Sequence, residues 1–150
     1  MFGLFRKKET TVTLSVVELA GAGYCAVAGE SHYQEALNAT RGVCSGTHEG
    51  HPAFTAVLVP EPHNPYDANA IAVWSPRGKL GYLPRDDADD YGELFDEIMR
   101  RGYDGGTCQA FLTGGEPGKP SYGVVLRLAD AETCLDELDE DPPDPRDATT

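Results

Sequence analysis

The chain has 150 residues, 25 acidic against 12 basic side chains, and a formal charge of −13. That length fits one domain with a real core and leaves too little for two independent ones. No apolar run is long enough to cross a bilayer, and MFGLFRKKE is not followed by a signal-peptide core, so a cytoplasmic protein with no membrane partner is expected.

In chain order, TTVTLSVVEL (Thr10 to Leu19) alternates Val12, Leu14 and Val16 with Thr11, Thr13 and Ser15, the pattern of a half-buried strand. Gly21 and Gly23 interrupt it before a second short strand, Tyr24 to Ala28. Ser31 with Gln34 reads as a capping box, and Tyr33, Ala36 and Leu37 give the short helix behind it an apolar side. Arg41 to His51 reads as a loop, followed by the strand PAFTAVLVP. Ala70 to Trp74 and Lys79 to Leu83 form a hairpin around Ser75, Pro76, Arg77 and Gly78. Tyr91, Leu94, Phe95 and Ile98 share one face of a second helix, with aspartates at 86, 87, 89 and 90 at its start. Thr107 to Leu112 and Tyr122 to Leu128 complete seven short strands, joined by TGGEPGKPS. The expected fold is mostly β with two helices, a small OB-like antiparallel β-barrel.

From Ala129 to Thr150 the chain holds nine acidic residues and one arginine, more than half of the net charge, and Pro142, Pro143 and Pro145 oppose a helix. This segment reads as a solvated, disordered acidic tail. Its functional alternative is an arm that competes with phosphate or meets a partner protein. The four cysteines, Cys25, Cys44, Cys108 and Cys134, are widely spaced, and no disulfide is expected.

The segment EPHNPYDANAIAVW (Glu61 to Trp74) sets a stiff polar turn against the start of a strand. Pro62 and Pro65 fix backbone angles, and Asn64 and Asp67 can accept backbone N–H groups as Asx turns. A carboxylate held in such a turn can accept a hydrogen bond from a ligand hydroxyl; the alternative is a well-made turn and nothing more. GKLGYLPRDDA places Tyr82 beside Lys79 and Arg85, a ring with two cations suited to a nucleobase and its phosphate, or else an ordinary strand tyrosine. His32 is either a general base or a first-turn helical histidine. Signatures of a serine hydrolase, a zinc protease and a phosphate loop are all missing, so no enzyme is expected. The clustered aspartates are better explained by the helix start than by Mg²⁺, and Cys44, His48, His51 and His63 do not have finger spacing; neither metal nor cofactor is expected.

Taken in order, AGESHY, EPHNPYDANAIAVW and GKLGYLPRDDA resemble the HIRAN domain, a module found at the amino terminus of a class of DNA helicases and as a stand-alone bacterial protein. The resemblance runs from about Tyr24 to Leu128, which divides the chain into an N-terminal extension (1–23) whose strand completes the barrel, a HIRAN-like domain (24–128) and the acidic tail (129–150). It implies an OB-like barrel that holds the 3′-hydroxyl end of single-stranded DNA, with a helicase or nuclease as partner. By motif, Asp67 falls where the family's carboxylate accepts the 3′ hydroxyl. Tyr33 and His32 fall at the aromatic pair that holds the terminal bases, and Asn64 and Tyr66 fall at the pocket wall. Tyr82 stands where the helicase version has histidine, Ser31 where it has arginine, and Arg85 matches a basic residue near the backbone phosphate. With that arginine missing, Lys79, Arg85 and Arg41 are expected to supply the attraction for phosphate. The rival expectation is a protein-interaction or adaptor module with weak or no DNA binding.

Overall fold

A computed structural model describes residues 3–7 and 10–140. Two long strands form its middle: β6 (His51–Pro60) and β9 (Gly105–Glu116) pair antiparallel from Ala53↔Phe111 to Leu58↔Gly106. Side chains alternate across a pleated strand. Phe54, Ala56 and Leu58 therefore join Cys108, Ala110 and Leu112 in the core, leaving Thr55 and Gln109 on the outer face. The sheet continues on one side through β10 (Lys119–Arg127) to β4 (Tyr24–Ala26), and on the other through β7 (Ile71–Ser75) to β8 (Gly78–Tyr82).

The two outermost strands then meet. Ala28, just past β4, and Tyr82 of β8 exchange backbone hydrogen bonds of 2.8 and 2.9 Å. Gly81 makes this approach possible: its φ is +149°, and a Cβ there would lie 2.5 Å from the Ala28 carbonyl oxygen and 2.7 Å from Val27 Cγ1. The result is a mostly antiparallel sheet curled into a half-barrel, as expected, with Leu37, Leu58, Leu80, Ile98, Leu112 and Leu126 fully buried inside it.

Several local expectations change. The segment read as one strand from Thr10 divides at Ser15, whose N–H and C=O both bond Asp104. β2 (Thr10–Leu14) pairs with β1 (Gly3–Lys7), while β3 (Val16–Glu18) lies parallel to β9, the one parallel pairing among the described residues. The expected loop Arg41 to His51 contains β5 (Gly46–His48), which turns back onto β6. Among the described residues there are four α-helices rather than two. The first is α1 (Gln34–Arg41), and the helix expected around Tyr91 is split into α2 (Arg85–Asp90) and α3 (Gly92–Arg100). The split falls where the Tyr91 hydroxyl donates 2.5 Å to the Ala129 carbonyl.

The fourth helix, α4 (Ala131–Glu140), occupies the first half of the expected solvated tail. Cys134 and Leu138, four residues apart and so on one helical face, are buried in the core. Asp130 accepts the Thr133 N–H at 2.8 Å, and Arg101, at the end of α3, reaches the Leu138 carbonyl and the Asp139 carboxylate. The prolines that argued against a helix follow its last described residue in sequence. Residues 141–150 lie outside the described residues.

Gly81→Ala is expected to lower unfolding stability in urea by about 1–3 kcal/mol, because a Cβ must displace the Ala28 backbone. An unchanged midpoint would show that the edge strands do not depend on this contact.

Candidate nucleic-acid interface

Proline ends β6 at Pro60, and Glu61 continues the ladder by one bond, its N–H donating 2.8 Å to the Ala70 carbonyl. Residues 61–70 thus form a loop pinned at its base. Inside it, Asn64 Oδ1 accepts the N–H groups of Tyr66 at 2.8 Å and Asp67 at 3.1 Å. Asp67 Oδ1 accepts the Asn69 N–H at 2.9 Å, so both Asx turns read from the sequence are present. The other Asp67 oxygen faces Arg85 Nε at 3.6 Å. That guanidinium side chain is 71% exposed, whereas Asp67 is 21% exposed: an aimed carboxylate with a loosely held cation at its open side. Tyr66, 88% exposed, stands at the tip of the loop.

Glu61 ties this loop to β8. Its carboxylate accepts from Lys79 Nζ at 2.6 Å, from the Tyr82 hydroxyl at 3.0 Å and from Asn64 Nδ2 at 2.9 Å. Lys79 also donates to the Tyr82 hydroxyl at 2.9 Å and lies over the rings of Trp74 and Tyr82, at 5.4 and 4.9 Å from their centroids. Lys79 is therefore an internal counter-ion, not the free phosphate contact expected of it.

Charge states follow from these contacts. Burial alone would raise the Glu61 carboxyl, but hydrogen bonds from Lys79, Asn64 and Tyr82 overcome it and hold the group below its ordinary value. Burial alone would lower Lys79, and its bonds to Glu61 and Tyr82 raise it instead. Burial raises Tyr82.

The AGESHY segment reaches the same region through the Ala28–Tyr82 bridge. Gly29, at φ +78°, turns the chain into a 3-10 turn, Glu30–His32, ahead of α1. The capping box is absent: α1 starts after Tyr33 with no side-chain cap. Gln34 serves β10 instead, donating to the Tyr122 carbonyl at 3.0 Å and accepting its N–H at 2.8 Å while also donating to the Glu30 carbonyl at 3.1 Å. Glu30 itself accepts the Val124 N–H at 3.3 Å. His32 is exposed and Tyr33 half-buried on this clamped loop.

Contacts thus link Asn64, Asp67 and Arg85 directly and Tyr82 to them through Glu61, and the bridge brings His32 and Tyr33 to the same strand. Arg41 is exposed at the far end of α1. Among the described residues no three His, Cys, Asp or Glu side chains gather as a metal site. Cys44 bonds the Thr40 carbonyl, and His48 and His51 pack on Phe111. Burial pushes the Cys25 thiol up to about 11 and Cys108 to about 12.

Residues 20–104, more than half of the chain, match the HIRAN domain family. The chain belongs to the HIRAN family. HIRAN domains are known in general as DNA-binding modules rather than catalytic ones. The crystal structure of the HIRAN domain of human HLTF is similar at 18% identity and a TM-score of 0.44, covering 85% of this chain and 88% of that one. No curated protein matches. No helix among the described residues is long and apolar enough to cross a membrane.

Sequence reading missed two residues on which this HIRAN region is built. Glu61 opens the quoted motif, and its spacing of three from Asn64 was the available signal. Gln34 drew attention only as half of a capping box; its partner, the Tyr122 backbone, is distant in sequence and left no local mark.

Glu61, depressed in the fold, stabilises it above its ordinary carboxylate value of 4.5, and that contribution disappears as pH falls through the folded value. Lys79 and Tyr82, raised in the fold, contribute fully below their ordinary values of 10.5 and 10.0 and lose that contribution as pH rises through the folded values. Glu61→Gln is expected to flatten the acid limb of a Tm-against-pH curve relative to the parent. Parallel curves below pH 4.5 would remove Glu61 from acid stability.

Proposed function

We propose that this HIRAN protein is a non-catalytic module that captures single-stranded or frayed DNA at a free 3′ hydroxyl. Its setting is DNA repair or replication-fork processing in the cytoplasm, beside a helicase or nuclease. The observation that carries the reading is the half-buried Asp67 carboxylate, with one oxygen fixed by Asn69 and the other turned toward an exposed arginine.

The selection is electrostatic. A carboxylate accepts the proton of a hydroxyl, whereas it repels a terminal phosphate at the same position. Arg85 holds Asp67 only through an exposed, long contact, worth little in solution, so it is free to exchange toward a backbone phosphate. Tyr33 and His32 supply rings for the terminal bases, and Tyr66 an open ring beside Asp67. Each stacked base is worth about 1–3 kcal/mol. Tyr82 acts from behind, holding Glu61 and so the Asn64 end of the loop.

The internal use of Lys79 favours a second reading. With that cation neutralised by Glu61, few charges remain for phosphate in an acidic chain, as suits a protein-interaction or adaptor module.

Fluorescence anisotropy with short single strands ending in 3′ hydroxyl, 3′ phosphate or a closed hairpin separates the two. The expected result is preference for the free hydroxyl, with the 3′-hydroxyl over 3′-phosphate ratio lost in Asp67→Ala and affinity lowered about ten-fold or more in Tyr33→Ala. Equal discrimination in Asp67→Ala would sink the end-capture role. Absence of binding to every end would transfer the assignment to the adaptor module.

A further inference from the structure

The outer face of the sheet carries groups that the 3′-end site does not use. In register across four strands, Tyr24 of β4 opposes Arg127 of β10, Arg127 opposes Gln109 of β9, and Gln109 opposes Thr55 of β6. Neighbouring strands lie about 4.8 Å apart, so this is one continuous row. Gln109 donates to the Thr55 hydroxyl at 2.9 Å. Arg127 is different: its Nε is fully buried and has no hydrogen-bond partner. Among the described residues its guanidinium has no carboxylate within ion-pair distance. The Nε is closed to solvent, so an incoming anion would meet the terminal guanidinium nitrogens of this half-buried, cavity-lining side chain, whose charge no described carboxylate neutralises.

A cavity of about 380 Å³ opens here, lined by Thr55, Thr107, Gln109 and Arg127 with Glu18 and Leu19. Beside it lies a group of rings. Tyr24, 62% exposed, meets Phe111 edge-on at 6.2 Å and reaches His48 Nε2 with its hydroxyl at 3.2 Å. His48 and His51 lie at 4.8 and 5.5 Å from Phe111, making an aromatic shelf with Tyr24 at its open edge. This shelf is at the start of β6 and the 3′-end site beyond its finish, about 30 Å of extended strand away.

We propose that the outer sheet face is a second, separate nucleotide subsite, in which Arg127 takes one phosphate and Tyr24 takes the flat ring attached to it. Gln109 and Thr55 flank the phosphate with neutral polar groups. Glu18 also lines the cavity, and its carboxylate limits the cavity itself to a single phosphate. The choice of nucleic acid as source rests on the DNA-binding reading; the anion-plus-ring chemistry comes from the row itself.

The test is an NMR titration of the full chain with a thymidine tetranucleotide carrying a 3′ phosphate, and in parallel with thymidine 3′-monophosphate. The 3′ phosphate keeps the probe out of the hydroxyl-selective site, so failure here is distinct from failure there. Ring signals of Tyr24, His48 and His51 are expected to shift, with affinity about ten-fold weaker in Arg127→Gln or Tyr24→Ala. Tighter binding of the tetranucleotide identifies a strand as the source; equal binding identifies a free nucleotide. If Arg127→Gln proves unfolded by its amide spectrum, Arg127→Lys replaces it, keeping the charge and losing the fork, with a weaker but measurable loss expected. Unchanged affinity in the folded variant overturns the proposal. So do contacts from residues 141–150 to the Tyr24 ring that the probe fails to displace, since they would make the chain's own terminus the occupant.

Discussion

The rest of the structure depends on a close approach between backbones: Ala28 against Tyr82, made possible because residue 81 has no side chain. An open antiparallel sheet of this size would leave β4 and β8 as free edges, each a row of unpaired amide groups. Joining them at one bridge curls the sheet around its core. The same bridge carries the AGESHY loop to the strand that supports the Asp67 loop. Three short motifs far apart in the chain become one region through two hydrogen bonds.

Behind that region sits an ion pair used for positioning. Glu61, Lys79 and Tyr82 satisfy one another, and the ammonium lies near the Trp74 ring. A half-buried pair of this kind gives little net stability after desolvation, and its worth lies in fixing geometry. It fixes the Asn64 end of a loop that already holds itself through Asx turns. In an acidic chain this arrangement has a cost, because a lysine that orients the site from below cannot also attract phosphate from above.

Much of this architecture was legible in the residues. Alternation marked the strands, Gly and Pro marked the hairpin after Trp74, and the two Asx turns followed from Asn64 and Asp67. Other features depended on partners far away in sequence. Ser15 breaks a strand that alternation alone would continue, because Asp104 captures its backbone. Gln34 abandons Ser31 for the Tyr122 backbone. The segment after Ala129 looked solvated because nine acidic residues outweigh a few apolar ones, yet Cys134 and Leu138 fall on one helical face and suffice to dock it. For Asp67, Tyr33 and Arg85, the residues named from the motif lie where the bridge and the loop gather them; the role of Glu61 beneath them became visible only with its three partners in place.

The sheet also constrains when this protein can exist as a folded object. β3 finds its place only beside β9, β4 only beside β10, and the Ala129 N–H bonds back to the Ala20 carbonyl, so the two ends of the domain complete each other. Pairings this distant in sequence form slowly, since the intervening chain must be gathered before any contact rewards it. During synthesis, the early strands emerge from the ribosome with their neighbours still untranslated. Folding therefore waits for the carboxy-terminal third of the domain, and until then Val16, Leu19 and Val27, buried in the finished fold, lack the strands that cover them.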